Sequence, residues 1–172
     1  DVPSFRRDPP MTSLLHIGAE GDRVYVGDAN PSLSTLNILN SDLEELEAFA
    51  VESPPSSLRR RRGNLWVTLI GSIPPTDAPS GSLVRIDPDG GTDGQGTKMT
   101  LVDSLQRPVH AAYDDLNGDG REDVIISEFG YRTGGLAWHE RGPDGRYQKH
   151  VLQEGPGAVR SVVRGVNQDD RP

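Results

Sequence analysis

The sequence predicts an all-β fold made of repeated four-stranded antiparallel units, and three observations predict it. Gly (20 residues) and Pro (14 residues) together form roughly a fifth of the chain against a usual share of about 12%, so turns are frequent and long helices are disfavoured. Between the turns lie short runs in which apolar and polar residues alternate, the period of a half-buried strand. The order of these runs also repeats: Val109 to Asn117 (VHAAYDDLN) is matched 50 residues later by Val159 to Asn167 (VRSVVRGVN). A repeat of that length suits one blade of a β-propeller.

The strand candidates, in chain order, are 14–17, 23–27, 35–39, 65–70, 82–86, 98–102, 109–113, 124–129, 135–139, 147–152 and 159–163. They group into approximate blades at 11–57, 58–107 and 108–158, with the start of a further blade at 159–172. The third unit is the clearest, because 123–129, 134–140 and 147–153 follow its opening strand in order. In the second, Gly63 to Ile70 matches the strand at Asp123, and Gly81 to Ile86 matches the strand after Gly134. The first is a weaker copy that ends near Phe49 to Val51. About three blades therefore read as part of a larger propeller, whose open ends need further blades of the same protein or a protein partner to cover them. One local signal competes: Ser41 to Glu44 is a capping-box pattern, and Leu43, Leu46 and Glu47 continue a helical reading as well as a strand reading.

Composition excludes several functions. A formal charge of −8 and a pI near 4.9 repel phosphate backbones and anionic lipid, so nucleic acid is not an expected partner. The absence of cysteine removes disulfides, thiolate metal sites and cysteine nucleophiles. No apolar run approaches the length of about 20 residues that a membrane-spanning helix needs.

The densest chemistry lies between the strand candidates at 109–113 and 124–129. Asp115, Asn117 and Asp119 occupy alternate positions of one short loop, followed by Arg121, whose carbonyl is the next expected donor, and Asp123. Hard oxygen donors at this spacing can surround Ca²⁺, which takes six to eight oxygens. Gly118 and Gly120 permit the sharp bend. An EF-hand needs a bidentate Glu at the twelfth loop position and helices on either side, but that position is Ile126 and the run Val124 to Ser127 reads as a strand. Dockerin-type loops fail on the same grounds. The plainer alternative is that Asp, Asn and Gly only make a hairpin turn. A degenerate copy at Gly165 to Asp170 retains Asn167 and Asp169.

The segment Asn117 to Ser127 (NGDGREDVIIS), followed by Phe129 and Gly130, resembles an FG-GAP or VCBS repeat, the unit of integrin-type β-propellers. That resemblance covers one repeat well. It is looser for the other two, whose equivalent loops at 18–22 and 60–64 lack the ligand set. It implies one Ca²⁺ held by Asp115, Asn117, Asp119, Arg121 and Asp123 between the first two strands of a blade. It also implies an extracytoplasmic protein of the periplasm, cell surface or secreted space, a non-enzymatic domain that mediates protein association, such as an accessory subunit of a larger membrane-anchored complex. The rival expectation is a propeller enzyme or carbohydrate-binding domain whose funnel needs further blades.

Other features point less sharply. Arg59 to Arg62 is the strongest charge run, read as a solvated strand end or a contact for an acidic protein. His16, His110, His139 and His150 are scattered without metal-ligand spacing. Neither a nucleophile elbow nor a phosphate loop is present, and the Gly-rich stretch 90–96 reads as a hairpin, so no catalytic residue is assigned. Glu128 and Asp123 are the acid pair that glycoside hydrolysis would require, but both are better assigned to the ion. Trp66, Tyr113, Trp138 and Tyr131 are expected to pack between blades.

Overall fold

A computed structural model describes residues 14–29, 33–90 and 96–164. Twelve strands run in chain order: β1 (Leu14–Glu20), β2 (Arg23–Asp28), β3 (Ser34–Leu39), β4 (Glu45–Val51), β5 (Pro55–Arg61), β6 (Asn64–Leu69), β7 (Gly81–Asp87), β8 (Thr97–Leu105), β9 (Pro108–Asp114), β10 (Asp123–Glu128), β11 (Gly135–Arg141) and β12 (Tyr147–Glu154). They form three open antiparallel sheets of four sequential strands each, β1 to β4, β5 to β8 and β9 to β12. No α-helix occurs among the described residues. The opening strands lie side by side, β1 against β5 and β5 against β9.

The middle sheet packs against both neighbouring sheets, and the sequence of its strand β6 shows why. Along β6, Leu65, Val67 and Leu69 point to one side and join Tyr25, Leu36, Ile38, Phe49 and Val51 of the first sheet in one core. Trp66 points to the other side and joins Leu83 and Leu105 against Ala111, Val124 and Ile126 of the third sheet. A strand covered on both faces is apolar nearly throughout, which is the pattern of NLWVTL. Trp66 meets Tyr113 edge to face, with ring centroids 5.2 Å apart. Between the middle and third sheets, Gly81 abuts the Pro108 ring and leaves no room for a Cβ.

Four expectations are corrected. Residues 41–44 are a turn: the Asn40 side-chain oxygen accepts the N–H groups of Asp42 (3.0 Å) and Glu44 (2.9 Å). Leu43 sits there at φ 63°, which no α-helix accommodates, and the chain continues directly into β4, paired with β3. β5 had no strand candidate, and the repeat boundary drawn after residue 57 falls inside it. Residues 159–163 form no strand; they line a cleft of about 530 Å³ together with β5 and β9. Tyr131 is 50% exposed rather than packed in the core. The degenerate loop at Asn167 and Asp169 lies outside the described residues, as does most of the glycine-rich stretch 90–96.

Candidate metal centre

The acidic loop joins β9 to β10, the first two strands of the third sheet. Pairing of Asp114 with Asp123 across the ladder closes its base. Gly118 (φ 74°) and Gly120 (φ 81°) both take the left-handed conformation that the sequence requires of them. The bend folds the backbone around Asp115: one carboxylate oxygen accepts the N–H of Gly118 (2.8 Å) and of Asp119 (3.0 Å), and the other accepts the N–H of Gly120 (2.7 Å). These bonds, led by that of Gly120, hold the Asp115 carboxyl below its ordinary range.

Asp119 accepts the N–H of Arg121 (2.8 Å) on one oxygen, and on the other the Asn117 amide (3.0 Å) and the Arg121 guanidinium. Asp123 behaves differently. It is wholly buried, and its oxygens accept two backbone N–H groups, from Leu116 (3.2 Å) and Arg141 (2.8 Å). No cationic side chain among the described residues pairs with it. A buried carboxylate satisfied by dipoles alone lacks a counter-charge, and a nearby cation is the favourable complement.

Four of the five predicted positions thus lie in one loop, and the fifth, Asp123, opens β10 at its base. Among the described residues no group of three or more acidic or histidine side chains is disposed to hold a metal. The side-chain oxygens are turned onto N–H groups, and the Arg121 guanidinium occupies the place of positive charge on Asp119. The donor chemistry nevertheless fits a hard divalent ion. The set is oxygen only, and each carboxylate keeps at least one oxygen with a lone pair beyond those given to the backbone.

Two residues outside the motif reach the loop. Glu140 on β11 accepts the Asn117 amide (3.0 Å) and contacts His150 Nε2 (2.9 Å), and that imidazole stacks on Trp138 at 4.6 Å. Nothing local in the sequence marks Glu140. It arrives because the β10 to β11 register sets Val124 opposite His139, which brings the following residues over the start of β10. Glu122, also unassigned by the motif, pairs with Arg61 of β5 and ties the loop to the neighbouring sheet.

The remaining candidates separate. Glu128 lies at the far end of β10 from Asp123 and accepts the Gln106 N–H (2.6 Å) and the Lys149 ammonium (2.7 Å), so these two carboxylates form no pair. His139 is buried, with Nε2 lacking a hydrogen-bond partner. His110 accepts the Ser161 N–H at 3.5 Å. Among the described residues no helix is long and apolar enough to cross a membrane. No family model, curated protein or solved structure matches the chain.

Proposed function

We propose that the chain is a run of propeller-type blades whose β9 to β10 loop takes Ca²⁺, and that the domain is a non-enzymatic, extracytoplasmic module for protein association. Three features support the blade reading: sequential four-stranded meanders, opening strands that lie side by side, and a middle sheet packed on both faces. The resemblance of the loop to an FG-GAP or VCBS repeat points the same way.

The observation that carries the calcium reading is Asp123, a buried carboxylate without a cationic partner among the described residues, at the base of an all-oxygen loop. Asp115, Asn117, Asp119, Asp123 and the Arg121 carbonyl would hold the ion. A bound divalent cation balances the loop's charge and stabilises the folded state by mass action.

Calorimetric titration of the metal-free chain with Ca²⁺ and with Mg²⁺ tests the reading. One saturable calcium site in the range of about 10⁻⁴ to 10⁻³ M, as in extracellular modules, with weaker Mg²⁺ binding, is the expected result. A flat calcium isotherm, joined by a melting temperature indifferent to chelator, would overturn it.

A further inference from the structure

Arg59 to Arg62, the strongest charge run in the sequence, remains without a role in the calcium reading. The structure places it at the tip of the β5 to β6 hairpin, where Arg62 (φ 49°) and Gly63 (φ 84°) form the two-residue turn. Strand alternation sends Arg59 and Arg61 toward the third sheet and Arg60 to the opposite side. Arg61 is committed: it pairs with Glu122 and lies over the Tyr113 ring at 5.5 Å. Arg59, Arg60 and Arg62 are exposed and have no ion-pair partner among the described residues. Arg160 lines the same cleft as Arg59 and Arg61.

We infer that this hairpin tip, with Arg160, is a docking point for an acidic segment of a partner protein. Clustered guanidinium groups repel one another, and carboxylates relieve that repulsion while accepting the paired N–H donors of each fork. The chain is otherwise acidic, at −8 overall, so the tip is a local positive feature in a negative field. That arrangement suits a short carboxylate-bearing peptide, which can be engaged locally. It disfavours a nucleic acid, whose dense charge extends into the repulsive surroundings. The aromatic rings nearest the tip, Trp66 and Tyr113, are packed together between sheets, so neither is free to stack on bases.

The inference deepens the association reading and names a partner class, but it does not depend on calcium. The test uses the full chain in about 2 mM Ca²⁺, enough to load sites of extracellular-module affinity. Binding of a fluorescent decaglutamate peptide is followed by anisotropy, with a single-stranded RNA oligonucleotide as competitor. The variant R59E/R60E/R62E retains Arg61 and its structural pair. Arg146→Glu, on the exposed β11 to β12 turn, controls for charge reversal at an exposed arginine away from the tip.

Expected are saturable, salt-sensitive peptide binding by the natural chain and by Arg146→Glu, and affinity at least about tenfold weaker in the triple variant. Circular dichroism and the calcium isotherm should be the same in all three. The inference is overturned if the natural chain does not bind the peptide, if the triple variant binds it equally, or if RNA binds more tightly. It is overturned also if sedimentation shows concentration-dependent self-association that the triple variant abolishes, since the partner would then be a second copy. Loss of the calcium isotherm with peptide binding intact would sink the calcium reading alone.

Discussion

Asp123→Asn separates the two roles assigned to the base of the acidic loop. The carboxylate accepts N–H groups from Leu116 at 3.2 Å and Arg141 at 2.8 Å in a wholly buried position. An amide of the same shape keeps one oxygen and turns an NH₂ toward the other donor. One charge-assisted bond is lost and a buried N–H is stranded, which should cost about 2–3 kcal/mol in calcium-free buffer. Calcium should then widen the gap. A ligand at a hundred times its dissociation constant adds about 2.7 kcal/mol to a protein that binds it, and the variant should forgo most of that. Urea unfolding followed by tryptophan fluorescence, in chelator and in calcium, measures both quantities. A variant as stable as the natural chain in chelator would refute the account of the buried carboxylate. An identical gap in both buffers would show that no ion engages Asp123.

Two further perturbations probe the frame that carries the loop. Burial, followed by the charges of Lys149 and His150, lowers His139 from an ordinary pKa of 6.5 to about 4. The unfolded chain therefore binds a proton there before the folded one does. The associated stability is complete above about pH 6.5 and is lost as pH falls toward about 4, a total on the order of 3 kcal/mol. His139→Leu should flatten that part of the stability profile measured by urea titration across the window, and an unchanged slope would contradict the assignment. Arg107 donates to the carbonyls of Ser72 (3.2 Å), Ile73 (2.9 Å) and Gly130 (2.7 Å), clamping loops of the second and third sheets together. Arg107→Ala should lower stability by about 2–4 kcal/mol and speed proteolysis near residues 72–78; unaltered cleavage would mean that the clamp is idle.

Strands whose side chains carry their own signal were legible in advance. β6 and β10 read as continuous apolar runs, and β7 and β11 alternate behind a glycine, so their existence and order follow from local composition. β5 was not legible, because PSSLRRR contains a single large apolar residue. It is a strand by virtue of its ladder with β6 and its position between β1 and β9. At 41–44 the ambiguity was real: Ser, Asp and Glu serve a helix start or a turn equally, and pairing of β4 with β3 decided it. The segment 159–163 shows the converse, with strand-like residues but no ladder partner among the described residues.

The same division runs through the candidate site. Sequence alone determined the loop, its bend at Gly118 and Gly120, and an all-oxygen donor set, because those depend on contacts within a few residues along the chain. Tertiary structure decided that Asp123 is buried on two backbone N–H groups, that Arg121 covers Asp119, that Glu140 reaches Asn117, and that the arginine hairpin stands beside Glu122. Each of those depends on strand register and sheet packing, which bring together residues far apart in the chain, and no local pattern of side chains encodes such distances.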